Sequence, residues 1–389
     1  MDDLHALIIG AGIGGLTAAL SLQREGFRVS VYEQVPELGE VGAGVTITPN
    51  ACHALNHLLG EEQVESICHV PESGAIKHFE TGATLIDTQR GNLPREQYGA
   101  HYCQVHRADL HDALAAAVRA NDPGAVHVDC RFTGLAETAS DVTAQFADGG
   151  SAAGDILIGC DGIRSEVRRT LWGPDEPRFT GYIAWRGLIP TAGLDPEYLV
   201  PDSAAFAGRG RTFTRYKVRR GTLYNFVAFA RREQWEAESW SERADISELL
   251  DEFRDFAPEV QALIGAIPPE QCFKWGLFDR PPLLRWTRGR ASLLGDASHP
   301  MTPFLAQGAA MAIEDGLVLA RAVTAADDWK EALTRYEDAR RERGTFVMLE
   351  SHVNARRIYN RDPDSLSRNS HRSAEALGLY EYNPVTVPV

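Results

Sequence analysis

Lysine is scarce: the 389 residues hold four, Lys77, Lys217, Lys274 and Lys330. With 39 basic against 54 acidic residues, the formal net charge is −15. Such a balance repels phosphate backbones and anionic lipid, so neither nucleic acid nor a membrane is expected as a partner. A small anionic substrate is not excluded, because a few arginines can dominate one pocket. The chain also lacks any CxxC pair; its six cysteines, Cys52, Cys68, Cys103, Cys130, Cys160 and Cys272, are scattered without metal-ligand spacing. No metal site is expected, and a reduced, cytoplasmic protein is. No run of about 18 apolar residues is present, which argues against a spanning helix. Met1, Asp2 and Asp3 lead straight into the first strand, leaving no room for a signal peptide. Repeats and low-complexity tracts are missing too.

What remains is a globular composition, 44% hydrophobic and 24% charged. The length suits two lobes or one large α/β body, and a core able to enclose a ligand. Ala6-Leu7-Ile8-Ile9 reads as a buried strand, followed by a glycine turn, a helix through Leu16, Leu20 and Leu22, and a second strand ending at Glu33. Strand, helix and strand within 33 residues form a parallel βαβ unit. Further helices are expected over 50–59, 108–120 and 241–266, and over most of 306–356. Buried strands are expected at 155–161 and 291–296. From 181 to about 231, short β-rich segments broken by turns such as Arg219-Arg220-Gly221 read as an inserted antiparallel sheet. The last stretch, with Pro363, Pro384 and Pro388, reads as a loose tail.

The turn after the first strand is Gly10-x-Gly12-x-x-Gly15. Gly10 permits the tight turn, Gly12 admits a pyrophosphate to the backbone, and Gly15 allows close helix–strand packing. The helix start offers free N–H groups and its positive dipole end to phosphate. Glu33 lies 18 residues beyond Gly15, where a carboxylate can accept from ribose hydroxyls and would repel a 2′-phosphate. These residues call for a dinucleotide and leave FAD and NAD both open.

Two later motifs narrow the choice. The first is Gly159-Cys160-Asp161-Gly162-Ile163-Arg164-Ser165; the second is Gly295-Asp296-Ala297-Ser298-His299-Pro300-Met301-Thr302-Pro303, continued by Gln307-Gly308 and Glu314-Asp315. With the fingerprint, Gly42-Ala43-Gly44-Val45 and Pro49-Asn50, they resemble the single-component FAD-dependent aromatic hydroxylases (salicylate hydroxylase and 6-hydroxynicotinate 3-monooxygenase type). The resemblance covers nearly the whole chain. It implies an α/β fold like that of p-hydroxybenzoate hydroxylase: a Rossmann-like FAD-binding domain, an inserted antiparallel-sheet substrate domain and C-terminal helices. The matching division is 1–73, 99–178 and 275–320 for FAD, 74–98 and 179–274 for substrate, and 321–389 for the helical end and tail.

The resemblance also implies tightly bound FAD, NADH or NADPH as co-substrate, dioxygen, and a small aromatic or N-heteroaromatic substrate hydroxylated through a flavin C4a-hydroperoxide, in a monomer or homodimer. One fingerprint rather than two separates the chain from flavin disulfide reductases. Gly10, Gly12, Gly14, Gly15, Glu33, Gly44, Val45, Arg107, Asp161, Asp296, Gly308, Ala309 and Ala310 are the expected cofactor contacts. Asp161 and Asp296 keep a second reading as helix caps. The helix start at Gly308-Ala309-Ala310 could stabilise negative charge on reduced flavin. His299, Tyr216 and Pro303 are the candidates at the reacting centre, with Arg186, Trp185 and Phe304 near it; a core role competes for each. Relatives carry histidines where this chain has Thr46 and Thr212. Those departures keep a second substrate class open, a larger, urate-like or tailoring metabolite. A non-catalytic flavin sensor is a third reading, and nothing like an effector domain supports it.

Overall fold

The computed structural model describes residues 4–39, 43–235, 242–360, 362 and 373–389. Four sheets are present among them. The first is wholly parallel, in the order Ala291–Leu293, Ile156–Gly159, His5–Ile9, Arg28–Tyr32, Val126–His127. Its strands are apolar on both faces because helices cover both. The fingerprint helix Ile13–Arg24 packs against Gly308–Thr324, and that contact depends on missing side chains. A Cβ on Gly316 would stand 2.7 Å from the Ala18 nitrogen, and one on Gly14 would stand 2.8 Å from Leu294 Cδ2.

The second body is an eight-stranded sheet. It runs Glu242–Arg243, Cys272–Asp279, Arg178–Pro190, Leu223–Arg231, Arg211–Val218, Ser203–Ala207, Ser73–His78, Thr84–Gln89. The expected inserted antiparallel sheet is therefore found, with one correction: Ser203–Ala207 pairs in parallel with Ser73–His78. One face of this sheet buries Trp185, Phe206, Phe213 and Phe226 against Phe253 and Phe256. A three-stranded sheet of Gly44–Ile47, Cys103–His106 and Cys68–His69 lies between the two bodies, and the edge hairpin 132–154 forms the fourth sheet.

The helices Pro49–Leu59 and Arg107–Asn121 fall where the periodicity puts them. The single helix expected over 241–266 does not form. Ser241 lies outside the described residues; Glu242–Arg243 is strand, and Ile246–Glu252 and Pro258–Gly265 are separate helices. Pro258 is the cause: the residue before a proline is driven out of the helical region, and Ala257 sits at φ −48°, ψ 151°.

The tail is also corrected. Pro363 lies outside the described residues, but over 373–389 the chain is docked, with Leu379 and Tyr380 buried. Its carbonyls are bound by arginines: Arg321 donates to Pro384 at 2.8 Å, Arg335 to Val389 at 3.2 Å and Arg343 to Leu379 at 3.2 Å. Prolines lack donors but keep acceptors, so a proline-rich end can still be held. No helix among the described residues is long and apolar enough to cross a membrane.

Candidate active site

The three fingerprint glycines do different work. Gly10 adopts φ 103°, and a Cβ there would meet the Cys160 carbonyl oxygen at 2.6 Å. A Cβ on Gly15 would come within 2.0 Å of the Gly10 oxygen. At Gly12 nothing lies within 4 Å. Gly12 is also the residue that opens the helix Ile13–Arg24, so its bare backbone and the helix's free N–H groups share one open space. That is the cradle a diphosphate needs. Glu33 closes the unit: its two oxygens accept from Ala11 N at 2.8 Å and Val35 N at 3.1 Å. His111, which the sequence did not single out, donates its Nε2 proton to the Ala11 carbonyl at 2.7 Å.

Asp296 is exposed in a turn whose Gly295 and Ala297 are buried. Enclosure by the surrounding fold raises its carboxyl, while His299 and Arg107 pull the other way. An exposed carboxylate near Arg107 suits the hydroxyls of a ribityl chain. Arg107 follows the strand Cys103–His106, where its own N–H donates to Ala43 O at 2.7 Å. Open backbone at Gly12, acidic acceptors at Glu33 and Asp296, and the helix start at Gly308 with Ala309 and Ala310 behind it fit the elongated FAD molecule.

Asp161 is different. Its oxygens take Ser165 Oγ at 2.5 Å, Glu166 N at 2.7 Å and Val167 N at 3.1 Å. The carboxylate is held at the start of the helix Glu166–Trp172, as the cap reading expects.

His299 is enclosed. Its ring is 1% exposed, packs on Trp286 at 5.1 Å and bonds Asp315 Oδ2 at 2.6 Å. Asp315 also accepts from Gly295 N at 3.0 Å and from Arg340 Nε at 2.7 Å. A histidine so enclosed holds the turn that presents Asp296. Burial alone would raise the Asp315 carboxyl, but His299 and Arg340 outweigh it and hold it down to about 2.

Glu314, the next residue back, accepts from Asn50 Nδ2 at 2.6 Å and Arg343 Nε at 2.8 Å, and forms an ion pair with Arg340 Nη1 at 2.7 Å. Asn50 and Thr48 also hold the Gln307 amide, each at 3.0 Å. Asn50, Gln307, Arg340 and Arg343 had no assigned role in the sequence reading. Arg340-Arg341-Glu342-Arg343 reads as a solvated run, and only the helix phase turns two of its arginines inward.

Tyr216 reaches across from the eight-stranded sheet. A Cβ on Gly44 would stand 2.5 Å from Tyr216 Cε2, and Gly44 N donates to Asn225 Oδ1 at 2.6 Å. Burial, then Tyr102, pushes the Tyr216 phenol far up, so it stays protonated and can donate. Val45 follows Gly44 in the same strand, paired with Val105. Thr212, on the Tyr216 face of its strand, shares a hydrogen bond with Tyr359 OH at 3.2 Å. Pro303 is exposed and starts a 3₁₀ turn; its carbonyl accepts from Ala306 N at 3.0 Å. Phe304 packs with Tyr182, Phe229 and Tyr359. Arg186 is buried, its guanidinium 4.8 Å from the Trp275 ring centre. Trp185 is core on the opposite face.

Residues 3–351 match the family model described as "FAD binding domain". The 6-hydroxynicotinate 3-monooxygenase of Pseudomonas fluorescens is 36% identical over 92% of both chains. The chain belongs to the single-component FAD-dependent aromatic hydroxylases.

The enzyme is equally similar to a 3-amino-4-hydroxybenzoate 2-monooxygenase of Streptomyces platensis, 39% identical over 96% of this chain and 94% of the relative. Among solved structures, Klebsiella pneumoniae HpxO, crystallised with FAD and uric acid, superposes with a TM-score of 0.88 at 29% identity, covering 98% of each chain. FAD is therefore the enzyme's cofactor, and the fold is that of these hydroxylases. The open recess of about 460 Å³ on the outer side of the C-terminal helix, lined by Leu284, Arg285, Trp329 and Lys330, shares no residue with the cradle.

Proposed function

We propose that the enzyme is an NAD(P)H-dependent monooxygenase that hydroxylates a small aromatic or N-heteroaromatic acid already bearing a hydroxyl group. The observation carrying this reading is the Tyr216–Gly44 contact, which sets a protonated phenol of the large sheet against the strand leading from the cofactor cradle. Bound FAD supplies the redox chemistry, taking electrons from a nicotinamide and activating dioxygen. The chain supplies the rest.

Gly12, Glu33 and Asp296 anchor the cofactor's polar length, and the Gly308 helix start faces negative charge with its dipole. Arg107 balances Asp296. Tyr216 donates to an oxygen of the substrate and fixes its orientation; with its pKa raised, it is a donor rather than the base. Pro303 and Phe304 rigidify the turn and exclude water beside it. The stretches 1–73, 99–178 and 275–320 form the FAD-binding unit in this reading, and 74–98 with 179–274 the substrate unit.

NADH and NADPH oxidation by the holoenzyme should accelerate when the right hydroxylated aromatic acid is added, with a product one oxygen atom heavier. If no such acid changes the rate or yields that product, the substrate class is wrong. A second reading, a urate-like or larger ring, draws on Thr46 and Thr212 and on the 0.88 superposition. Product mass separates the two.

A further inference from the structure

Three cysteines remote in sequence converge beside the small antiparallel sheet. Cys68 lies in Cys68–His69, Cys103 opens Cys103–His106, and Cys52 sits in the helix Pro49–Leu59. The Cys103 thiol donates to the Cys68 sulfur at 3.0 Å, inside ordinary van der Waals contact for two sulfurs. Cys52, whose thiol lies 3.8 Å from Asn56 Oδ1, interacts electrostatically with Cys103. Cys68 and Cys103 sit in strands that are hydrogen-bonded to each other, with Cys68 opposite Val105. The backbone ladder, not the thiols, fixes their approach. None of the three takes part in the cradle described above.

A cystine bond is about 2.05 Å long, so the two sulfurs need to move roughly 1 Å to bond. We propose that Cys68 and Cys103 are a dithiol that closes to an intramolecular disulfide when a hydroperoxide reaches it. Cys68 is 7% exposed against 1% for Cys103, and oxidation begins where a thiolate and access coincide. The Cys68 sulfur attacks hydrogen peroxide: an S–O bond forms, the O–O bond breaks, and one water leaves. The Cys103 sulfur then attacks Cys68: the S–S bond forms, the S–O bond breaks, and the Cys103 proton departs with the second water. Two thiols lose two electrons, and one peroxide becomes two waters.

Disulfides inside reducing cells are usually transient and responsive rather than permanent. A bond here would tie two segments 35 residues apart along the sheet that carries Gly44 and Val45. The dithiol stands whether or not the proposed substrate class is right, because added peroxide is enough to test it.

The holoenzyme is treated with graded hydrogen peroxide, its remaining thiols are alkylated, and it is analysed unreduced by mass spectrometry. The expected result is a loss of two hydrogens in intact mass, one peptide pair joining Cys68 to Cys103, and full reversal by dithiothreitol. Cys68→Ser and Cys103→Ala, each checked for retained flavin, should abolish the cross-link. Six free thiols persisting after peroxide, oxidation halting at a sulfinic acid, or a link joining Cys52 to Cys103 would each overturn the assignment.

Discussion

Asp315 accepts from His299 on one carboxylate oxygen and from Arg340 on the other, at 2.6 and 2.7 Å. His299 belongs to the turn that presents Asp296, and Arg340 to the long helix Trp329–Asn360. The pair of contacts ties that helix to the turn that presents Asp296. All three side chains are buried, so none can exchange its partner for water.

Removing one member leaves an uncompensated charge. Arg340→Met and Asp315→Asn should each cost about 3–5 kcal/mol of stability, read as a lower denaturant midpoint. His299→Gln should release FAD more readily, while substrate KM in the flavin-saturated enzyme stays near wild type. A rise in KM with FAD affinity unchanged would place His299 in the substrate pocket.

Acid should act through the same network. Asp315 is held down to about 2 from an ordinary 3.8, and Glu314 is lowered too, burial opposing and Arg340 and Arg343 prevailing. A depressed folded pKa means that the stabilisation is complete above the unfolded value and drains as pH falls through the folded one. For Asp315 the window runs from 3.8 downward to about 2, and roughly 2 kcal/mol is at stake. Unfolding free energy followed from pH 5 to pH 2 should fall less steeply in Asp315→Asn than in wild type.

The fingerprint glycines should separate folding from cofactor binding. Gly15→Ala puts a methyl 2.0 Å from a backbone oxygen and should not fold. A Cβ at Gly12 meets nothing within 4 Å, so Gly12→Ala should fold with near-native stability and bind FAD at least tenfold more weakly, about 1.4 kcal/mol. Fluorescence titration of the apoprotein with FAD checks it; unchanged affinity would place the diphosphate elsewhere.

Much of this is legible in the amino-acid sequence. The βαβ unit, Glu33 and the helices 50–59 and 108–120 follow from glycine spacing and periodicity, which are local. Partners distant in sequence are not. Nothing near Asp161 in sequence shows that its carboxylate will be held by the helix it precedes. His299 follows Asp296 by three residues, and only the fold reveals that Asp315 and Arg340 enclose it. The parallel pairing of Ser203–Ala207 with Ser73–His78 joins segments far apart in the chain, beyond any period-two signal. Three scattered cysteines gave no spacing cue for their convergence.

Tyr216→Phe should spare FAD affinity and weaken substrate. Losing one neutral hydrogen bond costs about 0.5–1.5 kcal/mol, a few-fold to tenfold rise in KM. Gly44→Ala, which collides with both Tyr216 and Asn225, should damage substrate binding and also lower the melting temperature. Steady-state kinetics with flavin-saturated enzyme distinguishes the two patterns.

The most direct test of the central claim is turnover of the holoenzyme under ¹⁸O₂ with a nicotinamide and a hydroxylated aromatic acid. The expected product carries one labelled oxygen on the ring, with nicotinamide consumed in proportion. Nicotinamide oxidation coupled only to reduction of dioxygen to hydrogen peroxide, with every ring recovered unlabelled across the substrate class, would contradict it.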